Sequence, residues 1–242
     1  MTKRVSDHFE SKSGYWRWRV DGFARHEISN SVARLCMGPT EALYYSNAEI
    51  ADGEFNDLPW ERGYVEFRVR LLKSHLGSAG WGFWNHSMAI ELSFPIWFIY
   101  LRARGKYPLQ GFFIQVGRDF VPIKLFKSVS LYRVALSIAP WVAPIKILSS
   151  KPLAPDLDLS QWHTYRVEWS GSEARMFIDE SEVARVRPRW RSPVSRFRID
   201  VWIDNAVFLP LRGDPGAVYR HQTQENRSEA CLELDYVVAE ER

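Results

Sequence analysis

The chain reads as an all-β protein, a sandwich of two antiparallel sheets. Three observations predict this. Apolar and polar residues alternate with period two along most of the length, as in strands with one face buried. Turn signals separate these runs at intervals of about ten residues, the spacing of sandwiches and barrels. The aromatic load is heavy, 35 of 242 residues being Phe, Tyr or Trp, and such residues favour sheets and stacking surfaces.

The elements follow in order. ARLCMG (33–38) and LYYSNAEI (43–50) are short strand-like runs. GYVEFRVRLL (63–72) sets Tyr64, Glu66, Arg68 and Arg70 against Val65, Phe67, Val69 and Leu71, the signature of a half-buried strand. GWGFWN (80–85), IWFIYLRA (96–103) and GFFIQVG (111–117) continue the series. HTYRVEW (163–169), ARMFID (174–179) and VARVR (183–187) are joined by Ser-Gly-Ser and acidic turns, which predicts a meander. SRFRIDVWID (195–204) and ACLELDYVVAEE (230–241) close the chain. No linker or internal repeat is visible, so residues 1–242 read as one domain.

Residues 122–148 differ. From Ile123 to Ala135 the apolar spacing fits a helix at least as well as a strand, and Pro140 and Pro144 break any helix. This predicts a partly helical apolar insertion packed on the sheet. A lid or a membrane-surface contact through Lys124, Lys127 and Lys146 is the alternative.

Thirty-two basic against 29 acidic residues give a net charge of +3, too mild to imply a nucleic-acid partner. The start, MTKRVSDHFESKSG, lacks the apolar stretch of a signal peptide, which predicts a cytoplasmic protein. Cys36 and Cys231 then read as buried thiols, a bridge between terminal strands being the alternative. The six histidines are scattered, so neither a metal site nor a cofactor is expected. The arginine run Arg185, Arg187, Arg189, Arg191, Arg196 and Arg198 reads as a solvated face, with an anion-binding patch as the other meaning.

Several segments, taken in order, resemble glycoside hydrolase family 16 of the concanavalin A-like lectin/glucanase superfamily. YYSNAEIADGEF with GYVEFRVRL is similar to the paired strands that lead to that family's active-site strand. SAGWGFWN stands where the family has a glycine- and tryptophan-rich strand. QWHTYRVEWSGSEARMFIDESEVARV resembles its Trp-His-x-Tyr-x-x-x-Trp signature, and LELDYVVAE its closing strand. The resemblance implies a concanavalin A-like jelly roll with a concave ligand groove. It also implies a catalytic strand Glu-x-Asp-x-x-Glu, or a form one residue longer, because retaining hydrolysis needs two carboxylates. Here the best placement is Glu91-Leu92-Ser93-Phe94-Pro95-Ile96. Glu91 stands at the nucleophile position, Ser93 replaces an acid, and Ile96 or Trp97 stands at the acid/base position.

The resemblance and this departure together imply a groove that binds an oligosaccharide without retaining-glycosidase activity. The alternative is a lyase, hydratase, isomerase or cyclase acting there on an apolar small molecule with an acidic group. The candidate catalytic pair is Glu91 with His86, suited to proton transfer. Trp81 or Trp84, whose odd separation splits them between two faces, joins Trp97 and Trp202 as a stacking platform. Tyr100, Arg102 and Arg104 share one face of WFIYLRAR and are candidates to hold an acidic group. Gln115, Asp204 and Asn205 complete the candidate ligand contacts.

Overall fold

The computed structural model describes residues 3–39, 45–54, 57–86, 93–102, 110–126, 146–149, 151–188, 196–206 and 228–242. These form two eight-stranded sheets. The strands are β1 (Arg4–Asp7), β2 (Arg17–Asp21), β3 (Arg25–Ser29), β4 (Val32–Met37), β5 (Asn47–Ala51), β6 (Gly63–Leu71), β7 (Gly77–Trp84) and β8 (Ile96–Arg102). They continue as β9 (Gly111–Val116), β10 (Asp119–Leu125), β11 (Lys146–Ile147), β12 (His163–Trp169), β13 (Ala174–Ile178), β14 (Ser181–Val186), β15 (Arg198–Asp204) and β16 (Ala230–Glu241).

Sheet A runs β14-β13-β12-β6-β16-β4-β3, with β1 beside the far end of β16. Sheet B runs β11-β10-β9-β8-β7-β15-β5-β2. All pairs are antiparallel except the two-residue pairing of β11 with β10. The architecture is a jelly-roll sandwich, as the alternation predicts. Val65, Phe67 and Val69 on β6 and Tyr165, Val167 and Trp169 on β12 face inward, and their polar neighbours face out. Across the sandwich they meet Trp81, Phe98 and Phe112, with Trp81 and Tyr165 ring centroids 4.8 Å apart. Among the described residues no helix is long and apolar enough to cross a membrane.

Two expectations are corrected. Ile123, Lys124 and Leu125 do not begin a helix. They complete β10, where Ile123 is buried in the inter-sheet core. Most of the remaining expected insertion, including Lys127, lies outside the described residues, and of Lys146 only its place in β11 is described. Cys36 and Cys231 are not separate thiols. They stand opposite each other in the β4–β16 register and are joined as a disulfide. The sequence separation of 195 hid a pairing that the sheet topology makes adjacent.

Candidate functional site

The outer face of sheet B differs from an ordinary solvated face. A second hydrophobic cluster, separate from the inter-sheet core, lies on it: Trp84, Trp97, Ile99, Leu101, Phe113, Phe120 and Trp202. Trp84, Trp97 and Trp202 are each less than a tenth exposed. Strand β7 is the floor beneath them. Gly80 lies opposite Trp202 of β15, and Gly82 opposite Trp97 of β8. A Cβ at Gly80 would clash with the Trp202 ring, and one at Gly82 with Trp97. Gly80 therefore lets the Trp202 indole lean over β7, Gly82 lets the backbone of β8 approach closely at Trp97, and the two indoles meet at a centroid distance of 4.3 Å. Trp84 is 5.9 Å from Trp97 and carries the His86 ring stacked at 4.9 Å.

The tryptophans also anchor polar groups. Trp202 Nε1 donates to Ser78 Oγ at 3.0 Å, and Trp97 Nε1 donates to Gln115 Oε1 at 2.8 Å. Gln115 in turn donates to the Gly117 carbonyl. Trp84 Nε1 reaches Ser93 Oγ at 3.3 Å.

Toward β5 and β2 the same face becomes charged. Arg198, Asp200 and Trp202 alternate outward on β15, and Asn47 and Glu49 do so on β5. Arg198 Nη2 donates to Glu49 Oε1 at 2.6 Å and to Asp200 Oδ2 at 3.2 Å, and its guanidinium lies 5.0 Å from the Trp84 ring. Arg19 of β2 adds a longer ion pair to Glu49. Burial raises the Asp200 carboxyl above its usual range; Arg198 opposes this and the Glu49 charge adds to it. His86 is pushed down to about 4 by burial, then by the charges of Arg198 and Arg19, so its ring is neutral at pH 7.

The predicted site residues divide accordingly. Trp84, Trp97, Trp202, Gln115 and His86 come together at this face. Trp81 and Tyr100 do not. Both are buried between the sheets, and the Tyr100 hydroxyl donates to the His75 carbonyl at 2.7 Å. The expected Tyr100–arginine face is thus the core face of β8, with Arg102 exposed at its end. Asp204 accepts from Ser78 N, Ser78 Oγ and Ala206 N, and Asn205 Oδ1 accepts from Ser46 N, so both fasten neighbouring segments. Burial pushes Asp204 up to about 7 despite those bonds. Ile96 also faces the core, and Trp97 is the outward residue. Glu91 and Arg104 lie outside the described residues.

Sequence reasoning missed Asn47, Glu49, Arg198 and Asp200. A signal was present, because RFRIDVWID places Arg198 and Asp200 on the face of Trp202. Arg198 was instead expected on a solvated face. Only the Arg185 and Arg187 portion of that run is described as exposed and ion-paired, to Glu182 and Glu173.

No protein-family model matches the chain, and no curated protein matches it in sequence. Solved structures do match in fold. The catalytic domain of an endo-1,3-β-glucanase (laminarinase) from Thermotoga petrophila RKU-1 matches with TM-score 0.53 and 12% identity, covering 100% of this chain and 98% of that one. The κ-carrageenase from Pseudoalteromonas carrageenovora, in complex with a κ-carrageenan oligosaccharide, gives 0.54 at 11% identity, covering 99% and 95%. A structure from work on endo-acting O-glycanases of human gut microbiota gives 0.58 at 12%, covering 97% of each chain. These likenesses establish the fold class: a concanavalin A-like sandwich of the kind that glycoside hydrolase family 16-type glycanases adopt.

Proposed function

We propose that the protein binds a carbohydrate over the outer face of sheet B and does not cleave it by retaining hydrolysis on β8. The single observation that carries this is the outward row of β8. Trp97, Ile99 and Leu101 occupy the alternate positions of the strand that follows and pairs with β7, and none can donate or accept a proton in glycosidic chemistry. Trp84, Trp97 and Trp202 supply flat surfaces of the type that stacks on sugar rings. The glycanase neighbours, one holding an oligosaccharide, support the ligand class.

A second reading is favoured by the burial of the same indoles, which suits an apolar small molecule bearing an acidic group. In that case His86, with Glu91, would be the candidate for proton chemistry. The cross-strand disulfide supports an oxidising compartment over the cytoplasm expected from the sequence.

Thermal unfolding with a panel of glucan and galactan oligosaccharides and of apolar acids tests the proposal. A ligand at about 100 times its Kd adds about 2.7 kcal/mol of stability. Stabilisation by an oligosaccharide with no release of reducing ends is expected. Stabilisation by an apolar acid alone would transfer the site to the second reading.

A further inference from the structure

Three buried side-chain atoms on the charged part of this face have no hydrogen-bond partner: Arg198 Nε, Asp200 Oδ1 and Asn47 Oδ1. The first is a donor and the other two are oxygens. Their residues are 1%, 2% and 4% exposed, and a buried polar group left unpaired is costly. One carboxylate ties the three together. Glu49 Oε1 accepts from Arg198 Nη2 at 2.6 Å, Glu49 Oε2 accepts from Asn47 Nδ2 at 3.3 Å, and Arg198 Nη2 also reaches Asp200 Oδ2 at 3.2 Å. The bond from Nδ2 to Glu49 fixes the Asn47 amide and leaves its carbonyl oxygen as the open end. Indoles border the group. Glu49 stands opposite Trp202 in the β5–β15 register, and the Arg198 guanidinium lies 5.0 Å from the Trp84 ring.

These open positions select a ligand by its hydrogen bonding. An anion can take the Arg198 Nε–H, but it gives nothing to Asn47 and stands beside Glu49. The Arg198 charge is already shared between Glu49 and Asp200, and Arg19, the next cation, is 47% exposed and in contact with water. A cation meets the guanidinium and cannot accept from it. A hydroxyl has one proton to donate and two lone pairs to accept with, so it suits both kinds of position. We propose that Arg198, Asp200 and Asn47 bind hydroxyl groups of a neutral sugar whose ring lies against Trp84 and Trp202, and that the site selects uncharged glycans over carboxylated or sulfated ones. This rests on the carbohydrate reading and names its substrate class. Ligand hydroxyls accept from Arg198 Nε and donate to Asn47 Oδ1. They meet Asp200 Oδ1 as donors to the carboxylate or as acceptors from the acid, so the pairing holds in either protonation state of Asp200.

Isothermal titration of the full chain with neutral glucan and galactan tetrasaccharides, and with the uronate and sulfated forms of each, tests this. At least one neutral sugar is expected to bind about tenfold or more tightly than its charged forms, because a site that sets like charges together or leaves polar groups unpaired rejects a ligand by that ratio. A charged form that binds as tightly as its neutral parent overturns the hydroxyl site and leaves the carbohydrate reading standing. Binding of no sugar overturns both. Asn47→Leu and Asp200→Leu each remove one open oxygen and should each weaken the neutral sugar about tenfold. Wild-type affinity in Asn47→Leu also overturns the site, since the open atoms then hold water alone, and this variant decides by itself should Asp200→Leu fail to fold.

Discussion

The two sheets expose opposite kinds of outer face. On sheet A, Glu233 of β16 accepts from Arg34 of β4 and Arg70 of β6, Arg175 of β13 bonds Glu168 and Glu182, and Arg70 lies over the Trp162 ring at 4.6 Å. Glu233 is buried, but the arginines and Glu182 keep contact with water, and partly exposed pairs of this sort contribute little each. They give sheet A a polar outer face. On sheet B the face is closed over by indoles, and its few charges are withdrawn from solvent around Arg198. One sandwich thus uses the same alternation for two purposes. A polar ladder makes an inert back, while glycines beneath tryptophans make a shaped front.

This contrast can be broken by substitution. Trp202→Ala removes a buried indole and should cost about 3–5 kcal/mol in urea unfolding. A cost under about 1 kcal/mol would mean that the front is as loosely packed as the back. Acidity offers the next test. Asp204 is buried, and this burial raises its pKa to about 7 from 3.8. A carboxyl raised on folding contributes stability present below 3.8 and lost as pH climbs toward 7, on the order of a few kcal/mol. Asp204→Asn should remove that decline.

Sheet A works in the other direction. Glu182 is pulled down to about 2 by its bonds to Arg185 and Arg175, so its contribution is present above about 4.5 and lost as the solution is acidified toward 2. Unfolding curves of Asp204→Asn and Glu182→Gln from pH 2 to 8 should differ from wild type at opposite ends of the range. Gly80→Ala pushes a methyl into the Trp202 ring and should cost about 1–3 kcal/mol, with a change in near-ultraviolet circular dichroism from the displaced indoles. Smallest of all, Arg175→Ala should cost less than about 1 kcal/mol, and 1 M salt should erase most of that.

How much of this was legible depended on contrast between the two faces of a strand. GYVEFRVRLL and HTYRVEW alternate charge with bulk, and their inward residues were assigned correctly because one face is wet. The odd spacing of Trp81 and Trp84 rightly split them between faces. IWFIYLR defeats the same reasoning. Both faces of β8 are buried, so nothing in the pattern shows that Trp97, Ile99 and Leu101 form the front while Phe98 and Tyr100 form the core. The charged cluster was missed for a related reason. Arg198 has the appearance of a surface residue until its partners, Glu49 and Asp200, are known, and Glu49 comes from a strand 149 positions away. The disulfide is equally non-local.

The place of β16 bears on how the sandwich is assembled. This strand lies in the middle of sheet A, and β1, β4 and β6 all bond to it. Its partners are synthesised long before it. Until β16 arrives, their hydrogen-bonding edges are open and the inner faces of the first strands lack cover. Pairings of such long sequence range form slowly, and open edges invite association with other chains. Synthesis therefore leaves an interval in which the earlier strands of both sheets exist while the middle of sheet A is unsealed. A chaperone that shields strand edges would matter most in that interval.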